Sequence, residues 1–134
     1  MSYDIYLYGP ECPTCKHRES GPYLPNPTYN LSPIFDLAIT GEPYPGTVNE
    51  ARVVLLGEET VRPWGLRGLF GRKAGDTVKE LEVAVARLHD PKWRSRFIAL
   101  EPSNKWGDLP DAVEVMETLL KAARECPEMT WEIR

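Results

Sequence analysis

The sequence predicts a single α+β domain, with a small and mainly antiparallel sheet covered by two long helices and one short helix and joined by long Pro/Gly-rich loops. Three observations predict it. Apolar residues alternate with period two at the beginning and at the end of the chain, and two long stretches between them carry apolar residues at helical spacing. The 134 residues are too few to divide into separate cores that would each be stable without staples.

In chain order, Tyr3 to Tyr8 places Tyr3, Ile5 and Leu7 on one side and Asp4, Tyr6 and Tyr8 on the other, the pattern of a half-buried strand. From Gly9 to Pro27, prolines, glycines and a Cys pair interrupt any period, which reads as an irregular excursion or a loose hairpin with a return arm near Lys16 to Ser20. Ser32 before Pro33 reads as an N-cap followed by a first-turn proline, with Ile34, Phe35, Leu37 and Ala38 as the apolar face of a short helix closing near Thr40-Gly41. Glu42-Pro43-Tyr44-Pro45-Gly46 excludes regular structure, and Arg52 to Leu56 reads as a short strand closed by Gly57.

Arg62 to Gly75 is basic and punctuated by glycine, a loop with room for one helical turn. Thr77 with Glu80 has capping-box form, and Val78, Leu81, Val85 and Leu88 recur at helical spacing up to an Asp90-Pro91 stop. Between Trp93 and Leu100, Trp93, Ser95 and Phe97 alternate with arginines as in a strand, while a helical extension fits the same residues. Asp108 caps a second long helix, whose stripe of Ala112, Met116, Leu119, Ala123 and Cys126, flanked by Val113 and Leu120, runs to Pro127. Met129, Trp131 and Ile133 then alternate with Thr130, Glu132 and Arg134, a terminal strand expected beside the first.

Hydrophobic residues at 42% and charged residues at 27% are ordinary for a globular chain, so neither wholesale disorder nor a fibrous array is expected. A net charge of −4 disfavours an extended nucleic acid as partner, because such affinity comes from neutralising phosphates. No run approaches the roughly 18 apolar residues that span a bilayer, and Met1-Ser2-Tyr3-Asp4 lacks the basic start of an export signal. The expectation is a cytoplasmic protein with no membrane partner, free to form a homo-oligomer. Three cysteines in such a chain favour reduced thiols or a metal site over a disulfide framework. The 13 prolines fix many turns and ordered loops, on which a site or an interaction surface is readily built.

Two polar segments stand out at predicted helix starts: Asn26-Pro27-Thr28-Tyr29-Asn30 and Asn104-Lys105-Trp106-Gly107-Asp108. Amides supply both donors and acceptors, while Tyr and Trp supply flat apolar faces with polar tips, a set suited to a planar, hydrogen-bonding ligand. The same residue types also serve as caps and turns, with Asn30 and Asp108 capping and Gly107 supplying a positive φ. The stretch from Arg62 to Lys73 sets four positive charges among Trp64 and Phe70, so that Arg67, Arg72 and Lys73 could counter negative charge on a ligand. It matches no P-loop, since Gly71-Arg72-Lys73 is followed by Ala74, and a solvated basic loop is the other meaning of such a run.

Cys12-Pro13-Thr14-Cys15 has the spacing of half a zinc knuckle, which His17, His89, Cys126 or a second chain would have to complete; zinc is therefore the one cofactor to consider. Idle or buried thiols are the alternative. No nucleophile elbow or His-rich metal motif is present, so no catalytic residue is assigned.

At the two polar segments the chain resembles a family of small uncharacterised proteins encoded by phages and by actinobacteria and related bacteria. The resemblance rests on the Met-Ser-Tyr-Asp opening, on Thr28-Tyr29-Asn30 followed by Ser32, and on Asn104, Trp106, Gly107 and Asp108 before a helix that ends in a Pro-containing turn and a last strand. It spans residues 1–8, 26–40 and 76–134, with the Cys pair and the basic loop as departures. It implies no known activity, but singles out Thr28, Tyr29, Asn30, Asn104, Trp106, Gly107 and Asp108 as positions of interest. Its usual genetic setting implies phage counter-defence.

Together these readings give three expectations. The first is a non-enzymatic binding protein that takes a polar, planar, anionic small-molecule ligand, such as a nucleotide-derived signal, on Thr28, Tyr29, Asn30, Asn104, Trp106 and Asp108 with Arg67, Arg72 and Lys73. The second is a protein–protein adaptor or inhibitor that contacts a host enzyme through its Pro-rich loops, with Trp64, Phe70 and Tyr44 as the exposed aromatic tips. The third is an enzyme acting on a nucleotide-like ligand through Asp108 or Asn104.

Overall fold

A computed structural model of the chain describes residues 2–11, 13–15, 17–42 and 65–134; Cys12, Tyr44, Trp64 and the expected strand at Arg52 to Leu56 lie outside them. Strand β1 (Ile5–Glu11) is the middle of a three-stranded antiparallel sheet, between β2 (Arg18–Ser20) and β3 (Thr130–Ile133). The first and last strands are therefore hydrogen-bonded neighbours, as their matching periodicity implies. Ile5 stands opposite Ile133 and Leu7 opposite Trp131, so the buried members of both alternations share one face. The pairing of β1 with β2 shifts register between Tyr8 and Glu11, which makes this hairpin the irregular one.

The outer edge of β3 is covered by part of the basic stretch. The Gly71 N–H donates to the Trp131 carbonyl at 2.9 Å, the Trp131 N–H to the Arg72 carbonyl at 3.0 Å, and the Ala74 N–H to the Met129 carbonyl at 2.7 Å. An exposed row of unpaired strand groups would otherwise invite pairing with another chain.

The described residues form four α-helices beside the sheet: α1 (Ser32–Thr40), α2 (Val78–His89), α3 (Pro91–Ala99) and α4 (Leu109–Glu125). Helix α2 lies against α4 and α1, and α1 also lies against a 3-10 turn at Gly65–Leu69. The core unites Tyr3, Ile5, Leu7, Trp131 and Ile133 of the sheet with Phe35 of α1, Leu81 and Leu88 of α2, and Met116 and Leu119 of α4. Among the described residues, no helix is long and apolar enough to cross a membrane.

Three helix starts differ in detail from the sequence reading. Thr77 stands at the N-cap position of α2 but its side chain makes no capping hydrogen bond. Its hydroxyl donates to the Ala74 carbonyl at 2.7 Å and accepts the indole N–H of the buried Trp131 at 3.0 Å, satisfying the one polar atom that this large side chain carries into the core. Ser32 lies inside α1, which is led in by a 3-10 turn at Tyr29–Leu31. Asp90-Pro91 ends α2 and also starts α3, because the Asp90 carboxylate accepts the Lys92 N–H at 2.9 Å and Pro91 occupies a first-turn position that needs no N–H partner. Of the two forms open for Trp93 to Leu100, the helical one is adopted: Trp93 and Phe97 stack one turn apart with centroids 6.1 Å apart, and Phe97 is fully buried.

Candidate functional site

The start of α1 is built around Tyr29. Thr28 is pinned beside the first strand by a bridge to Ser2, and the Tyr3 N–H donates to the Pro27 carbonyl at 2.8 Å. The Thr28 hydroxyl accepts the backbone N–H of Asn30 at 3.3 Å and its side-chain amide at 3.0 Å, so Asn30 spends its amide within the turn. The Tyr29 ring meets Tyr3 edge-on with centroids 4.7 Å apart, and the Tyr3 hydroxyl shares a 2.5 Å hydrogen bond with Ser32.

Arg67 reaches this cluster from the Gly65–Leu69 turn. It is 5% exposed, donates to the Tyr29 hydroxyl at 3.0 Å, and sits 4.6 Å and 5.0 Å from the ring centroids of Tyr3 and Tyr29. Desolvated cation–π contacts of this kind contribute about 2 kcal/mol. Among the described residues Arg67 forms no ion pair. The buried Asp36 lies against the same turn at Gly65, whose φ of 60° and lack of room for a Cβ beside the Asp36 Oδ1 atom both require glycine.

The start of α4 is built differently. The Lys105 N–H donates to the Pro102 carbonyl at 3.1 Å, and the Asn104 side-chain oxygen accepts the Trp106 N–H at 3.0 Å. Lys105 has φ 62° and Gly107 φ 102°, which turns the chain sharply on either side of Trp106. Asp108 and Asp111 form a reciprocal capping box at 3.0 Å and 3.2 Å, and the Leu109 N–H donates to the Glu101 carboxylate at 3.0 Å. Trp106 is thereby held on a well-tied loop while remaining 66% exposed.

The two segments adjoin through an apolar contact. A Cβ at Gly107 would lie 2.9 Å from both Cγ and Cδ2 of Leu31, so the glycine permits the approach. Of the residues singled out from the sequence, Tyr29 and Arg67 meet directly, and Thr28 and Asn30 form the turn beside them. Asn104, Trp106 and Asp108 belong to the neighbouring exposed loop.

Arg72 and Lys73 are placed along the outer edge of the sheet beside β3. Arg72 forms a two-pronged ion pair with Glu80, at 3.0 Å and 2.5 Å, and this hydrogen bonding raises the guanidinium pKa further above its ordinary value while burial opposes the rise. Lys73 faces Glu128 at 3.5 Å, both side chains exposed.

Cys15 is an exposed free thiol and Cys126 is half-buried; among the described residues no group of three His, Cys, Asp or Glu side chains could hold a metal. His89 instead pairs with Glu117 at 2.6 Å. Of the aromatic tips named for an adaptor, only Phe70 is described, and it is packed on the core with Arg134 5.3 Å over its ring.

Two open clefts flank α4. One, of about 350 Å³, lies between the end of α2, α3 and α4, and includes Leu88, His89, Arg94, Val113, Glu114 and Glu117. The other, of about 340 Å³, is lined by Tyr23, Pro25, Asp111, Glu114, Val115 and Thr118. Neither includes residues 28–30 or 104–108. Little in the sequence distinguishes Tyr23 and Glu114. The one signal at Tyr23 is an aromatic among prolines, and Glu114 has the look of any solvated carboxylate on a helix face. The chain matches no family model, no curated protein and no solved structure.

Proposed function

We propose that this chain is a non-enzymatic binding protein that docks onto a partner protein through the surface at the N-terminal end of α4. The observation that carries the reading is Trp106, two-thirds exposed on a loop whose backbone is tied at Lys105, Trp106, Asp108 and Leu109. An exposed indole gains on the order of 3 kcal/mol when a partner covers it. Because the loop is already ordered, little of that gain is lost to fixing the backbone. Tryptophan is among the residues enriched at interface hot spots.

Within the adaptor class this reading moves the hot spot from Trp64, Phe70 and Tyr44 to Trp106 and the 93% exposed Tyr23. The resemblance to the phage and bacterial family supports a host protein as the partner. Crosslinking in extract of the native host, read by mass spectrometry, tests it. The expected result is a protein retained by the wild type and lost with Trp106→Ala, while circular dichroism of the variant is unchanged. Equal retention by both would refute the reading.

A second reading, an anionic nucleotide-type ligand, is supported by Arg67, a buried guanidinium whose hydrogen bond among the described residues goes to a neutral phenol. Calorimetry against a nucleotide panel tests it: heat that disappears with Tyr29→Phe supports the ligand reading, and no heat with any nucleotide removes it.

A further inference from the structure

The cleft between Tyr23, Pro25 and α4 differs from its neighbour across Glu114 in the sign of its charge. The neighbour contains His89 and Arg94 alongside Glu114 and Glu117, so its charges are mixed. In the Tyr23 cleft the charged lining residues are Asp111 and Glu114 alone, both carboxylates. Asp111 holds the capping box through Oδ2, which leaves its Oδ1 available. The Glu114 side chain is exposed and forms no ion pair among the described residues. The rest of the lining is mostly apolar, Tyr23, Pro25 and Val115, with Thr118 as the one uncharged polar residue.

From this geometry we infer that the Tyr23 cleft receives a Lys or Arg side chain from a basic, apolar-flanked segment of the partner protein. The aliphatic stem of such a side chain covers the apolar wall while its charged end meets Asp111 and Glu114, the division that long basic side chains make between their two ends. Tyr23, almost fully exposed, offers the cation a π face as well. An acidic or uncharged segment would leave two carboxylates without counter-charge at a closed interface, which selects against it. The inference rests on the docking reading above, since the cleft begins at Asp111 in the first turn of α4, the helix that Trp106 precedes.

Selection of a random peptide library on the intact immobilised chain tests it, with Glu114→Gln, Glu114→Lys and Trp106→Ala run in parallel. Glu114 spends no side-chain bond on the fold among the described residues, so both of its variants are expected to remain folded. The expected outcome is enrichment of peptides carrying Lys or Arg next to aromatic or aliphatic residues. Their affinity should fall about five-fold with Glu114→Gln, vanish with Glu114→Lys and weaken with added salt. Enriched peptides that are acidic or neutral, or that bind Glu114→Lys as well as wild type, would overturn the cleft's assignment. If those peptides still depend on Trp106, the docking surface stands without the cleft; no enrichment on any of the four proteins would remove both.

Discussion

The starts of α1 and α4 use the same kinds of residues to opposite ends. At α1, Thr28, Tyr29 and Asn30 turn inward: the threonine hydroxyl holds the asparagine, and the tyrosine is covered by Tyr3 and Arg67. At α4, Asn104 and Asp108 hold the backbone in a similar way, but the aromatic between them points to solvent. The difference lies in what stands opposite each aromatic. Tyr29 has a buried cation arriving from a turn far along the chain, whereas the loop carrying Trp106 rests on Leu31 through a glycine and so keeps its indole off the core. Residue type sets which turn can form, and the presence of a distant partner decides whether the side chain closes the core or remains on display.

On this contrast, the largest loss of stability comes from the inward cluster. Replacing Arg67 by Met keeps much of the stem but leaves the Tyr29 hydroxyl without its donor and removes two cation–π contacts. Urea unfolding should show a loss of about 3 kcal/mol. Gly107→Ala tests the seam between the two segments. A β-carbon there combines a strained φ of 102° with a clash on Leu31, and a loss of about 2 kcal/mol in the same assay is expected.

Asp108→Ala should cost about 1 kcal/mol, because it removes one half of the capping box while Asp111 and Glu101 still hold neighbouring N–H groups. Its effect should appear as fraying of the first turn of α4, measured by amide hydrogen exchange at Leu109 to Ala112. A smaller effect from Arg67→Met than from Asp108→Ala would reverse the contrast.

Much of this arrangement could be read from residue order, and the parts that could not share a cause. Strands β1 and β3 and helices α2 and α4 are long enough, or regular enough, for apolar period to identify them, and the pairing of the end strands follows from their matching buried faces. Helix α3 is ambiguous in sequence because Trp93 and Phe97 lie four apart, a spacing that satisfies a strand's period of two and a helix's single turn alike. Thr77 shows the same limit. A threonine three residues before a glutamate has capping-box form, yet the indole of Trp131, 54 residues away in sequence, takes its hydroxyl. Glu80 in turn belongs to Arg72.

At the site level, Tyr29 and Arg67 each stand out in the sequence, but nothing local says that they touch, since they lie 38 positions apart. The Tyr23 cleft was invisible for a similar reason. Its walls come from an irregular segment and from a helix face whose carboxylates have no distinguishing period. Long-range polar partnerships are where local reading stops, because they depend on the packing that brings distant turns together.

The urea unfolding free energy of Trp106→Ala bears most directly on whether the α4 start is a display rather than a piece of the core. It should stay within about 0.5 kcal/mol of wild type, as for an exposed side chain that supports nothing beneath it. A loss as large as that of Arg67→Met would place the indole among the groups that hold the fold together and would contradict its assignment as a docking residue.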